Sequence, residues 1–179
     1  MVQDKEFLEH IKSLSQEIYS STRDIEKSSY KIDKGTVIHL LNTSYATEVI
    51  CSLRYKNHYF RAEEMGAKNA ADEFLEHSKQ EQEHADLLLE RIHQLKGIPE
   101  MSPDYIINNS HIAYRECNTL KEMLDENLKA EKVAIETYRY IVQFIENKDP
   151  TTRKVFEQIL AVEEEHADDI EALKAEYKC

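Results

Sequence analysis

EQEHAD at residues 81–86 and EEEHAD at residues 163–168 write Glu-x-x-His-Ala-Asp twice in one chain. On a helix, a Glu and a His three residues apart stand roughly 60° apart around the axis and one turn along it, so a carboxylate oxygen and an imidazole nitrogen can face the same ion. Working outward, Glu48 precedes the first copy by 33 residues and Glu131 precedes the second by 32. The offset between halves is nearly constant: 83 residues from Glu48 to Glu131, 82 from Glu81 to Glu163, 82 from His84 to His166 and 83 from Tyr55 to Tyr138. This register predicts one helical hairpin written twice, packed about a pseudo-two-fold axis that brings both sets to the centre.

The rest of the chain supports helices throughout. Apolar residues recur at steps of three and four and nowhere alternate by two for long. Gly35, Gly66 and Gly97, then Pro99, Pro103 and Pro150, punctuate the chain. Helices are predicted over roughly 3–29, 36–65, 69–96, 119–147 and 151–177, with a short one around 105–114 inside the long connection 98–118. Start signals are Asn69 as a cap, Thr119-Leu120-Lys121-Glu122 as a capping box, and Asp149-Pro150 as cap plus first-turn proline. The expected fold is all-α: a four-helix bundle over 35–179 with a long crossover between its second and third helices, plus an N-terminal helical extension over 1–34.

Each bundle helix carries an apolar stripe interrupted at its middle. The stripes run through Leu41, Tyr45, Glu48 and Tyr55; Phe74, Glu81, His84 and Leu88; Leu124, Glu131 and Tyr138; and Phe156, Glu163, His166 and Ile170. A lone ionised carboxylate moved into a core costs several kcal/mol or more, so four of them demand compensation. Two divalent cations bring four positive charges, and two imidazoles add nitrogen donors without adding charge. The pattern therefore points to a dinuclear metal site made of Glu48, Glu81, His84, Glu131, Glu163 and His166. His10, His39, His58, His77, His93 and His111 have no partner at ligand spacing and are expected at the surface or behind the ligands.

Bulk composition narrows the function further. A formal net charge of −12 argues against a surface that neutralises phosphates. Residues 1–34 hold six basic residues against seven acidic ones and form no basic arm, so direct DNA binding is not expected. No run of 18 apolar residues and no export signal is evident, which gives the expectation of a cytoplasmic protein with no membrane contact. The leading helix, with Phe7, Ile11, Leu14 and Ile18 on one face, is expected to pack on the bundle or on a neighbour. Cys51, Cys117 and Cys179 are odd in number and far apart, which fits a reducing compartment. Cys179 reads as a free thiol at a frayed end, and Cys51 as a small core residue with a conceivable redox role beside Cys117.

One Glu from each of two helices plus Glu-x-x-His from each of the other two is the ligand set of di-iron carboxylate bundles. At these residues the chain resembles the ferritin superfamily, and within it the bacterioferritin branch. The resemblance covers about 36–178 and includes Leu41-Asn42, Glu48, Tyr55, Glu81 to Asp86 continuing through Glu90-Arg91-Ile92, Gly97-Ile98-Pro99 and Glu163 to His166. It implies terminal carboxylate ligands at Glu48 and Glu131, bridging ones at Glu81 and Glu163, and one nitrogen ligand per iron from His84 and His166. It also implies that Tyr55 is the phenol beside the centre; Tyr138, its counterpart, is expected to serve core packing. The haem-binding methionine of bacterioferritins has Gln82 in its place, so no haem is expected. Only 13 residues follow His166, too few for a fifth helix, which resembles the shortened, Dps-like miniferritins.

The resemblance implies a ferroxidase that stores and detoxifies iron. Two Fe²⁺ ions, with Mn a possible occupant, would be oxidised by O₂ or H₂O₂, protecting against oxidative stress, in a homo-oligomeric cage for which a dodecamer is favoured. Two other activities fit the same ligands: a rubrerythrin-like peroxidase, weakened by the lack of a Cys-x-x-Cys pair, and a manganese catalase. A DNA-protecting Dps shell is the competitor from another class, and the net charge speaks against it.

Overall fold

The computed structural model describes residues 2–20 and 31–178. Cys179 and the 21–29 end of the predicted leading helix lie outside the described residues. Among the described residues every regular element is a helix, and none is long and apolar enough to cross a membrane. The chain divides into two compact units, Met1–Lys31 and Ile32–Cys179. The first contains α1 (Val2–Ser20), on which Phe7, Ile11 and Leu14 are exposed.

The second unit holds α2 (Lys34–Glu64), α3 (Lys68–Gln94), the short α4 (Pro103–Asn109), α5 (Leu120–Ile145) and α6 (Pro150–Glu176). Helices α2 and α3 form one tight hairpin, α5 and α6 the other, and α3 against α6 with α2 against α5 close the four-helix bundle. The ends follow local chemistry. Asp33 caps α2 by accepting from the Thr36 N–H at 2.7 Å, and Thr119 with Glu122 forms a reciprocal capping box on α5. Asp149 caps α6 ahead of Pro150.

Two boundaries differ from expectation. Asn69 is no cap: Gly66 turns the chain at φ 72, and the Ala71 N–H already donates to the Ala67 carbonyl at 2.9 Å. Asn69 therefore sits in the first turn of α3, where its side-chain amide donates to Glu176 Oε1 on α6 at 2.8 Å. The short helix ends at Asn109 rather than 114, because Ser102 and Pro103 start it early and the following residues turn toward α2. There the His111 N–H donates to the Thr47 hydroxyl at 3.0 Å, and the Arg61 guanidinium donates to the Cys117 carbonyl at 2.8 Å. At the start of the crossover Asn42 makes both bonds of its amide, donating to the Ile98 carbonyl and accepting from the Glu100 N–H. The long connection is thus stitched to α2 along its length.

Two apolar layers enclose the middle of the bundle. Tyr55, Phe74, Met123, Leu124, Ile170 and Leu173 pack on one side of the mid-helix glutamates, and Leu41, Leu88, Ile92, Ile145, Phe156 and Ile159 bury fully on the other. At about 2 kcal/mol for each large apolar side chain buried, these layers offset the cost of the polar layer they enclose.

Candidate metal centre

One side chain from each of α2 and α5 and two from each of α3 and α6 meet at that middle layer. Glu48, Glu81, Glu131, Glu163 and His166 are at most 1% exposed and His84 is 5% exposed. Their donor atoms fall into two groups, each spanning no more than 4.8 Å. Glu48, Glu81, His84 and Glu163 make one; Glu81, Glu131, Glu163 and His166 make the other. Glu81 and Glu163 belong to both. His84 Nδ1 lies 3.0 Å from Glu163 Oε1, 3.3 Å from Glu81 Oε2 and 3.5 Å from Glu48 Oε2. His166 Nδ1 lies 3.7 Å from both Glu81 and Glu163 and 3.9 Å from Glu131.

The surroundings aim these groups inward. The Tyr55 hydroxyl donates to Glu131 Oε1, and the Tyr138 hydroxyl donates to Glu48 Oε1. The second contact corrects the expectation for Tyr138: it is buried in the core, yet its hydroxyl touches a site residue as Tyr55 does. His166 Nε2 lies 3.0 Å from Gln80 Oε1; a ring proton donated there leaves Nδ1 as the nitrogen facing the cluster, able to offer its lone pair where an ion takes the place of its proton. Reciprocal bonds between the Ser52 and Ser78 hydroxyls and each other's backbone carbonyls, at 2.8 and 3.0 Å, clamp α2 to α3 beside Glu81.

The protein's own groups answer the charge problem in part. Burial and the charges of Glu163 and Glu81 push the Glu48 carboxyl well above its usual range, and the same causes act on Glu131. Burial also works to raise Glu81, but contacts to His166 and His84 outweigh it and hold this carboxylate low. On His166, burial is outweighed by Glu163 and Glu81, and its pKa is pushed up to about 10. Even so, Glu81 Oε1, Glu131 Oε2, Glu163 Oε1 and His166 Nδ1 make no hydrogen bond. Buried donor atoms left unpaired around a common point fit the binding of divalent cations of the imidazole-and-carboxylate class.

Three buried neighbours stand behind the ligands, and of these Arg54 escaped the sequence. Arg54 is 2% exposed; its Nε donates to Asn127 Oδ1 at 3.0 Å and its guanidinium lies over the Tyr55 ring. A charged residue on the inner stripe beside Cys51 and Tyr55 was the available signal. His58 is fully buried against Asn127. His77 lies behind a ligand, stacked on His166, but it does have partners at ligand spacing, since its Nε2 faces Glu73 and Asp169. His10, His39, His93 and His111 are exposed. Cys51 and Cys117 are buried free thiols, and burial pushes the Cys51 thiol well above its ordinary pKa.

Fold and cluster together define a helical bundle built around buried carboxylates and imidazoles. The chain belongs to the ferritin family, whose ferritin-like domain matches residues 38–178. It is 32% identical over 133 residues to a bacterial ferritin of Pseudomonas aeruginosa, covering 73% of this chain and 81% of that protein. It is 29% identical over 136 residues to the bacterioferritin of Mycobacterium avium, covering 75% and 81%. Among solved structures it is similar to the bacterioferritin-related protein of Bacteroides fragilis, a dodecameric thioferritin, with a TM-score of 0.78, 29% identity, and 83% and 89% of the two chains covered. It is also similar to Rhodobacter capsulatus bacterioferritin, described with a metal-free dinuclear site and a haem iron, with a TM-score of 0.73, 28% identity, and 83% and 88% covered.

Proposed function

We propose that this protein is a ferroxidase that oxidises Fe²⁺ with O₂ or H₂O₂ and stores the product, limiting oxidative damage. The observation that carries the reading is the sharing of Glu81 and Glu163 between two ligand groups. A carboxylate common to both groups can span two ions, as two-metal sites with ions roughly 3.5–4 Å apart require. Glu48 with His84 and Glu131 with His166 then complete one ion each. Iron bound there supplies one electron per ion to the oxidant; oxygen-rich ligands suit it because hard donors stabilise the ferric product. The chain's residues do the rest. Gln80 fixes the His166 tautomer, and Tyr55 and Tyr138 orient the outer carboxylates while the two apolar layers keep bulk water out. Manganese suits the same donors and is the alternative occupant.

Gln82, in the place of the haem-binding methionine, supports a protein without haem; it is exposed on α3. Likeness to the dodecameric neighbour and the exposed apolar side chains on α2 and α5 support a homo-oligomeric cage, with twelve subunits favoured. The acidic charge supports a protein that does not bind DNA.

Stopped-flow Fe²⁺ oxidation tests the core of this reading. Glu81→Gln and Glu163→Gln each remove a shared ligand and are expected to bring oxidation down to the uncatalysed rate. Unchanged kinetics in either variant would overturn the assignment.

A further inference from the structure

Beside the central cluster a smaller constellation joins two of its four helices, α3 and α6. Glu73 and His77 stand one turn apart on α3, and Asp169 lies three residues beyond His166 on α6. Donor atoms of the three fall within 4.8 Å of one another. His77 Nε2 is 3.1 Å from Glu73 Oε1 and 3.5 Å from Asp169 Oδ2.

Two acids near a histidine would ordinarily be an ion pair on a helix surface. His77 is different, because its side chain is 1% exposed and neither ring nitrogen makes a hydrogen bond. The carboxylate oxygens approach Nε2 closely but off the line a hydrogen bond needs. A buried ring with both nitrogens unsatisfied is uncommon, since leaving such groups unpaired costs free energy. The ring cannot turn away easily, because it stacks on His166 with centroids 4.0 Å apart and planes 23° from parallel. What remains is one nitrogen and two carboxylates converging from the buried side, with the acid side chains 36% and 52% exposed on the other.

We propose that Glu73, His77 and Asp169 form a third, mononuclear site for a divalent transition-metal ion. One imidazole and two carboxylates suit Fe²⁺, Mn²⁺, Co²⁺ or Zn²⁺, and the exposed side leaves coordination positions for water. The site lies between solvent and His166, so it stages cations for the central pair. Staging rests on the ferroxidase reading, whereas binding does not.

Crystals of the full chain soaked in Mn²⁺ or Co²⁺ test binding by anomalous diffraction. The expected result is a peak between His77, Glu73 and Asp169 in the native protein, lost in the E73Q/D169N double variant while the central peaks persist. Both substitutions are nearly isosteric and lie at partly exposed positions, so the fold is retained. An empty third position in the native protein overturns the site, whether or not the central pair is filled. A filled third position with an empty centre supports it and instead refutes the ferroxidase reading. Staging is read from steady-state Fe²⁺ oxidation: the double variant is expected to raise the apparent KM for Fe²⁺ several-fold, and an unchanged KM overturns that role.

Discussion

Tyr55 and Tyr138 occupy matching positions in the two halves, and each gives its hydroxyl proton to a glutamate of the opposite hairpin. Removing either hydroxyl leaves a buried carboxyl without its donor, which costs about 1–3 kcal/mol. Tyr55→Phe and Tyr138→Phe are both expected to lower stability by about that amount in urea denaturation and to slow Fe²⁺ oxidation; the matched geometry predicts losses of similar size. A fall confined to Tyr55→Phe would show that the two halves differ in role. His58 makes a separate prediction. Burial, reinforced by Arg54 and Arg61, depresses its pKa from 6.5 to about 4, so the folded state holds it neutral while the unfolded chain takes up a proton below 6.5. Its stabilising contribution is therefore present above pH 6.5 and lost as pH falls toward 4. At about 1.4 kcal/mol per pKa unit, the total is about 3 kcal/mol. Urea midpoints between pH 7 and 4.5 should fall less steeply for His58→Gln than for the native protein. At this scale the Glu-x-x-His copies were legible because both partners lie on one helix, at a spacing only one secondary structure explains. Tyr138 and His58 were not, since what they touch arrives from another helix; for His77, Glu73 stands one turn away on α3 but Asp169 and His166 arrive from α6.

Helix ends show the same division. Thr119 and Asp149 could be read as caps because the cap and the group it satisfies lie within three residues. Asn69 misled for the converse reason: its partner is Glu176, 107 residues away. Asp149 also does more than cap α6. Its carboxylate takes an ion pair from Arg91 at 3.1 Å, while Arg91 Nε donates to the Thr152 hydroxyl at 2.8 Å, so the C-terminal end of α3 is tied to the start of α6 in a buried network. Asp149→Ala removes the cap and leaves a buried guanidinium with fewer partners, at a cost of about 3–5 kcal/mol. Thermal unfolding of the variant checks this, and a loss below about 1 kcal/mol, the cost of a cap alone, would show that the ion pair contributes nothing. The crossover was legible only as a long gap. Its attachment to α2 through Asn42, Thr47 and Arg61 explains how a stretch with only one short helix holds position, and Asn42 and Gly97-Ile98-Pro99 turn out to be two sides of one contact.

Across the whole molecule, four acids in a bundle interior were read from sequence as a demand for two metal ions. The structure keeps the demand but points to a second way of easing it: burial and neighbouring charge raise the Glu48 and Glu131 carboxyls, and contact with the acids outweighs burial and raises His84 and His166. A ligand that binds only the folded state stabilises it by about 2.7 kcal/mol at a hundred times its Kd. For a chain of this length 1 kcal/mol moves Tm by roughly 2–4 °C. Loading with Mn²⁺, which does not complicate the scan with iron oxidation, is expected to raise Tm by roughly 5–10 °C over chelator-treated protein, and Glu81→Gln should remove most of that rise. Assembly would add to the same number: Leu53 and Phe60 on α2 and Tyr140 and Phe144 on α5 are between 48% and 72% exposed, and large apolar exposure of this kind marks surfaces that associate. Repeating the scan over a hundred-fold range of protein concentration separates the two, since an assembly contribution grows with concentration while a metal contribution at fixed free Mn²⁺ does not. If the Mn²⁺ rise is absent in native protein at every concentration, the acids are held by protons alone and the central cluster is not a metal site.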